Sequence, residues 1–204
     1  MNNCKSLVNK YDIITIVSGL PRSGTSMMMR MLEAGNMPVL VDNLRKPDDD
    51  NPKGYYEYEP VKKIKEDASW LENARGKAVK MVSLLLYHLP PDRYYKIIFM
   101  RRKMNEILAS QRVMLERLGQ IQPANESGVS DEEMAQKFEE HLKKINSWLS
   151  GQENIDVLYV DYSTIIMKPQ EQADNIVRFL GVNLDPEKMI KTIDKKLYRQ
   201  RSNI

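Results

Sequence analysis

Apolar residues fall along this chain in short runs separated by longer stretches where polar and apolar positions interleave. Ile13 to Val17 is β-branched throughout, the pattern of a strand buried on both faces. Lys96 to Met100, within "YYKIIFM", and Ile155 to Val160 read as strands too, and "KAVKMVSLLL" as a further one. Between these runs the spacing lengthens to the helical period. A helix opens near Gly24 and closes at Gly35. Its Met27, Met28, Met29, Met31 and Leu32 leave it apolar almost all round, as in a helix sandwiched within a fold. A second helix runs from about Asn105 to Leu118, with Ile107, Leu108, Met114, Leu115 and Leu118 as its inner face.

Ser130 and Glu133 form a capping box ahead of Met134, Phe138, Leu142, Ile145 and Leu149, which recur at helical spacing. Pro169 opens a helix that turns Ala173, Ile176, Val177 and Leu180 inward before Gly181 stops it. Asp42–Gly54 and Gly119–Gly128 carry the composition of loops. Strands alternating with helices predict an α/β fold with a central parallel sheet covered on both faces, and ligands at the carboxyl ends of its strands.

Length and charge narrow the picture. With 204 residues, one domain over residues 12–204 is expected, behind a flexible polar tail of residues 1–11. The 31 basic and 28 acidic residues nearly balance, which argues against nucleic acid as a partner. Cys4 is the sole cysteine and His88 and His141 the sole histidines, so no disulfide forms within the chain and no zinc site is expected. Asp48, Asp49 and Asp50 read as a hydrated loop, not a metal site. No run of residues has the length and apolarity to insert in a membrane, and a soluble, cytoplasmic protein is expected.

The chemistry begins after the first strand. "GLPRSGTS", from Gly19, nearly spells the nucleotide-binding loop G-x-x-x-x-G-K-[ST], but Thr25 stands where that loop has lysine. Backbone N–H groups of such a turn converge on an anion together with the helix N-terminus. Gly24 lets the backbone approach it, and Ser23, Thr25 and Ser26 add hydroxyl donors. Thr25 has no charge to offer a triphosphate and its metal. Arg22 supplies a planar fork suited to a tetrahedral oxyanion. The ligand should carry a shorter, less charged group.

"GLPRSGTS" resembles the 5′-phosphosulfate loop of sulfotransferases, which use 3′-phosphoadenosine 5′-phosphosulfate (PAPS) as sulfuryl donor. The likeness is to the tyrosylprotein and bacterial type, where arginine follows proline. It implies a P-loop-like three-layer fold, with Arg22 at the sulfate and bridging oxygen and Ser23 to Ser26 around the 5′-phosphate. "FMRRKMNEILASQ" resembles the family's second motif, an arginine at a strand end and a serine eight residues on. Arg102 and Ser110 have that spacing, with Glu106 between them, and the resemblance gives them the 3′-phosphate. "NPKGYYEYEPV" and "VDYSTIIMKPQEQADNIVRFLG" resemble further segments of bacterial members, and Arg199 or Arg201 of "LYRQRS" could reach the donor.

Transfer to a hydroxyl-bearing acceptor needs a base and cations where charge builds on the bridging oxygen. Arg22 is the first cation. Lys80 matches a strand lysine of the family and is the second. Val82 stands where cytosolic members have a histidine, and His88 reads as a surface residue. Glu57 is the candidate base, with Glu59 and Asp42 as alternatives. No metal is called for. Sugar, peptide tyrosine, lipid and small alcohol stay open as acceptors. The competing readings are a small P-loop-type kinase and a nucleotide-binding module without sulfuryl transfer.

Overall fold

Four short runs become four strands of one parallel sheet: β1 (Ile14–Gly19), β2 (Ala78–Lys80), β3 (Tyr95–Arg101) and β4 (Ile155–Asp161), in the order β2-β1-β3-β4. The structure, a computed structural model, describes residues 12–48, 51–117, 119, 130–194 and 198. The tail of residues 1–11, Cys4, Asp49, Asp50, Leu118, most of the Gly119–Gly128 connection, Arg199 and Arg201 lie outside these.

Side chains alternate across the sheet, as the two-residue period of a strand requires. Ile14, Ile16, Ile97 and Phe99 enter one core, while Val17, Ile98 and Met100 enter the other. The second core is closed by α1 (Thr25–Ala34), α4 (Tyr162–Met167), α5 (Pro169–Leu180) and α6 (Pro186–Lys191). Met27, Met28, Met29, Met31 and Leu32 are all buried there, as the pattern of α1 predicts. The first core is closed by α3 (Asp131–Ser150) and by 3₁₀ turns at Glu59–Lys63, Ser69–Ala74 and Ser83–His88. Ser130 caps α3 by accepting the Glu133 N–H at 3.2 Å, and Gly181 ends α5 in the left-handed conformation, φ 68°. Both sheet faces are therefore covered.

Two expectations need correction. The run "KAVKMVSLLL" is a strand only over Ala78–Lys80, after which Ser83–His88 winds as a 3₁₀ turn. Ser83, Leu86 and Leu89 are the buried positions, a spacing of three that matches 3₁₀ geometry and not a strand. An apolar run alone does not distinguish the two. The helix α2 (Met104–Arg117) buries Glu106, Ile107 and Ser110, whereas Leu108, Met114 and Leu115 are only half-buried. Its inner face borders a cavity, and polar side chains occupy it for that reason. No helix among the described residues is long and apolar enough to cross a membrane.

Candidate functional site

The turn after β1 is held open by glycines that tolerate no side chain. Gly24, at φ 102°, lies where a Cβ would come within 2.4 Å of the Tyr162 ring. A Cβ on Gly19, at φ 146°, would sit 2.6 Å from both the Met100 carbonyl and Ser23 Oγ. Arg22 between them also has positive φ, 68°, a conformation costing a non-glycine residue of order 1–3 kcal/mol. Helix α1 then starts with no side-chain cap and no acidic residue in its first turn. Its leading N–H groups face outward without a carboxylate to answer them. The Ser23 hydroxyl is buried and has no hydrogen-bond partner among the described residues. Orphaned donors of this kind are uncommon, and they fit an anion seated in the turn.

Arg102 is tied to this turn. Arg102 follows β3 directly, and its guanidinium donates to the Arg22 carbonyl at 3.1 Å and to Glu106 Oε2 at 2.9 Å. It packs over the Tyr162 ring at 4.6 Å. Glu106 is 2% exposed at its side chain and takes a second hydrogen bond from the Tyr198 hydroxyl, 2.7 Å. Ser110 lies one turn further along α2 on the same face, and its hydroxyl accepts a hydrogen bond from Arg22 Nε at 2.9 Å. Arg101 points the other way, exposed and stacked on Tyr159 at 3.8 Å.

A third group gathers at the end of β2. Lys80 Nζ donates to the Tyr55 carbonyl, lies 3.5 Å from Ser26 Oγ and 3.7 Å from Glu57 Oε1. Burial pulls the Lys80 ammonium down to about 8, and the Glu57 carboxylate opposes this only in part. Glu57 also accepts from Arg45 at 3.1 Å and stands 3.8 Å from Lys62. The Arg45 guanidinium lies 3.4 Å over the Tyr55 ring. Burial and a hydrogen bond to Asp48 push the Tyr55 phenol up to about 12, so Tyr55 stays neutral and keeps donating to Asp48. Asp48 also accepts the Asn51 N–H and thereby braces the loop, which is more than the hydrated role its sequence context suggests.

These three groups open on one cavity of about 530 Å³. Arg22, Gly24, Thr25 and Ser26 line it together with Arg102 and Ser110, and so do Lys80 and Glu57. Ser23, between Arg22 and Gly24, is buried and is not among the lining residues. The lining carries seven basic side chains against the two carboxylates of Glu57 and Asp194, a balance that favours an anionic ligand.

The alternative acids fall elsewhere. Asp42 is outside this cavity and accepts the backbone N–H groups of Leu44 and Glu59 at 3.0 and 2.5 Å. Glu59 is exposed and paired with Lys62 at 2.7 Å. His88 is exposed on the 3₁₀ turn, as expected, and His141 is hydrogen-bonded to Ser83 at 2.8 Å. Among the described residues no cluster of three His, Cys, Asp or Glu side chains could hold a metal.

Several lining residues escape a reading of the sequence. Arg30 sits among the methionines of α1, Arg45 in a loop of Asp, Asn and Pro, and Tyr55 and Tyr162 beside residues that draw attention first. Only the repeated flanking of candidate residues by tyrosine, "GYYE" and "VDYS", could have singled out the last two.

The family model for the sulfotransferase domain matches residues 12–202. Among solved structures, the chain is similar to the sulfotransferase domain of the Synechococcus PCC 7002 olefin synthase, with 14% identity and a TM-score of 0.52, over 94% of this chain and 81% of that one. It is also similar to the sulfotransferase domain from the curacin biosynthetic pathway, with 16% identity and a TM-score of 0.52, over 91% and 79% of the two chains. At these identities the likeness is one of fold. No curated protein sequence matches at a significant level.

Proposed function

This chain belongs to the sulfotransferase family, and we propose that it moves a sulfuryl group from PAPS to a hydroxyl acceptor as a single cytoplasmic unit spanning residues 12–204. The observation that carries this reading is the convergence on one cavity of the glycine-bounded turn after β1, the Arg102–Ser110 pair and the half-buried Lys80–Glu57 pair. Arg22 after Pro21, and Glu57 where a histidine is missing at Val82, favour the tyrosylprotein-like or bacterial type.

The residues fit the donor. The open turn, the unpaired Ser23 hydroxyl and the uncapped start of α1 would hold the 5′-phosphate with Gly24, Thr25 and Ser26. Arg102 and Ser110 would hold the 3′-phosphate. The donor supplies a sulfuryl group activated by its bond to a phosphate, and that S–O bond breaks as the acceptor oxygen bonds sulfur. Glu57 takes the acceptor proton. Arg22 and Lys80 neutralise the charge left on the phosphate oxygen, the point where preorganised cations lower a barrier most. The basic lining does here what magnesium does in a triphosphate site, so no metal requirement is expected. Thr25 in place of the lysine of a triphosphate loop disfavours the kinase reading.

Calorimetry tests this. A phosphate held by one charge-assisted hydrogen bond gains roughly 1.5–3 kcal/mol. Adenosine 3′,5′-bisphosphate should therefore bind about ten- to a hundredfold more tightly than AMP, with no magnesium. Equal affinities, or a preference for ATP with magnesium, would refute the proposal.

A further inference from the structure

We propose that Arg45 is a positioning residue for the transfer: it pins one oxygen of the Glu57 carboxylate, keeps that carboxylate from closing on Lys80, and leaves the other oxygen, Oε2, to take the acceptor proton. This rests on the sulfotransferase reading and adds a residue to it. The two oxygens of Glu57 stand differently. Oε1 accepts from the Arg45 guanidinium at 3.1 Å and has Lys80 Nζ at 3.7 Å. Oε2 faces Lys62 at 3.8 Å, an ammonium already bonded to Glu59 at 2.7 Å. The carboxylate is therefore anchored by one oxygen and has the other available to a substrate.

Backbone and ring contacts hold Arg45 to this task. The Asp42 N–H donates to the Glu57 carbonyl at 3.1 Å, and Asp42 Oδ1 accepts the Leu44 N–H at 3.0 Å, so the segment carrying Arg45 is fastened beside Glu57. The guanidinium packs 3.4 Å over the Tyr55 ring, while the Tyr55 carbonyl accepts from Lys80. One tyrosine thus spaces the two cations. The Arg45 side chain is 42% exposed, and an ion pair so placed adds little to stability; what it supplies is geometry. Without it, the 3.7 Å gap between Glu57 and Lys80 can close into a direct ion pair, which would occupy the base and neutralise the cation together. The charged groups around the two are Arg45 and Lys62, with Asp48 and Arg22 acting on the Tyr55 phenol beside them. Burial lowers the Lys80 ammonium most; Glu57 opposes it, and Arg45 and Lys62 add to it. Losing Arg45 therefore raises the pH at which Lys80 gives up its proton.

The test follows sulfate release from labelled PAPS, with water as the acceptor, in the wild type, Arg45→Met and Arg45→Lys. The water oxygen bonds sulfur, the S–O bond to the phosphate breaks, and Glu57 takes a water proton, leaving sulfate and adenosine 3′,5′-bisphosphate. In Arg45→Met, kcat should fall about ten- to a hundredfold, the scale for a misplaced catalytic group, while bisphosphate affinity by calorimetry and the melting temperature hold. The alkaline limb of its pH profile should move up from about 8. Arg45→Lys keeps the charge without the planar fork, so its limb should stay near 8 with kcat between the other two. An unmoved limb or an unchanged kcat in Arg45→Met would overturn this inference. So would a tenfold loss of bisphosphate affinity, which would make Arg45 a ligand of the donor. Each of these leaves sulfuryl transfer standing, whereas no sulfate release by the wild type would overturn the sulfotransferase reading itself.

Discussion

Arg22 Nε and Ser110 Oγ meet at 2.9 Å across 88 residues of chain, so the turn after β1 and the face of α2 are joined before any ligand arrives. The arginine proposed for the sulfate end thus rests on the serine proposed for the 3′-phosphate, and the Arg22 carbonyl is itself held by Arg102 at 3.1 Å. The residues proposed for the two ends of the donor therefore form one connected set.

That connection predicts non-additivity. Arg22→Ala should abolish transfer with a modest loss of adenosine 3′,5′-bisphosphate affinity. In the Arg22→Ala background, Ser110→Ala should cost affinity differently than in the wild type, by at least about 0.5 kcal/mol, as expected of residues in contact. Calorimetry on the four proteins measures this, and strict additivity would argue against a shared network.

Arg102 does two things that one substitution can separate. Arg102→Ala should weaken bisphosphate binding about ten- to a hundredfold. It should also destabilise the fold by about 3–5 kcal/mol, because it strands a buried carboxylate; the side chains of Arg102 and Glu106 are 9% and 2% exposed. The double variant Arg102→Ala/Glu106→Gln should regain much of the stability, read by denaturant unfolding, and none of the affinity.

Lys80 should set a pH limit. Its ammonium titrates near 8, lowered chiefly by burial. Its positive charge is present below that pH and lost above it, so kcat should fall as pH rises through about 8. Lys80→Arg should push the fall to higher pH. Stability responds in the opposite sense. The unfolded chain holds this proton up to about 10.5, so the cost of burying the charge is fully present below about pH 8 and is relieved between about 8 and 10.5. A pH-independent kcat from 7 to 9.5 would remove Lys80 from the reaction.

The three acids near the loop should behave differently. Glu57→Gln should lower kcat roughly a hundred- to ten-thousandfold, the range for a positioned base, with bisphosphate affinity unchanged. Asp42→Asn should lower the melting temperature, since Asp42 holds two backbone N–H groups. Glu59→Gln should do little. A large kcat loss in Asp42→Asn at unchanged stability would move the base from Glu57 to Asp42.

Much of the architecture could be read from residue patterns because it depends on local rules. Short apolar-rich runs marked β1, β3 and β4 nearly to the residue, and the Ser130 cap and Gly181 stop marked α3 and α5. The 3₁₀ turn at Ser83–His88 was not legible, because an apolar run carries no strand or turn label until its burial spacing is known. The same limit applied to α2, whose inner face is set by the cavity beside it. At the site, Arg22 stood out within the glycine-bounded loop, whereas Arg102 and Ser110 stood out only through the likeness of their segment to a sulfotransferase motif. Arg45, Tyr55 and Tyr162 enter through tertiary contacts among distant segments, for which single-chain periodicity has no signal.

The strand order β2-β1-β3-β4 divides the molecule's tasks between interior and margin. The two central strands present the turn and Arg102, whereas the short outer strand β2 leads into the apolar residues Met81, Val82 and Leu85 that line the cavity. Rebuilding the exposed part of that margin would leave the residues proposed for the nucleotide untouched. The exposed Val82 and Leu84, and not the core positions Met81, Leu86 and Leu89 beside them, are the natural starting points for redesign.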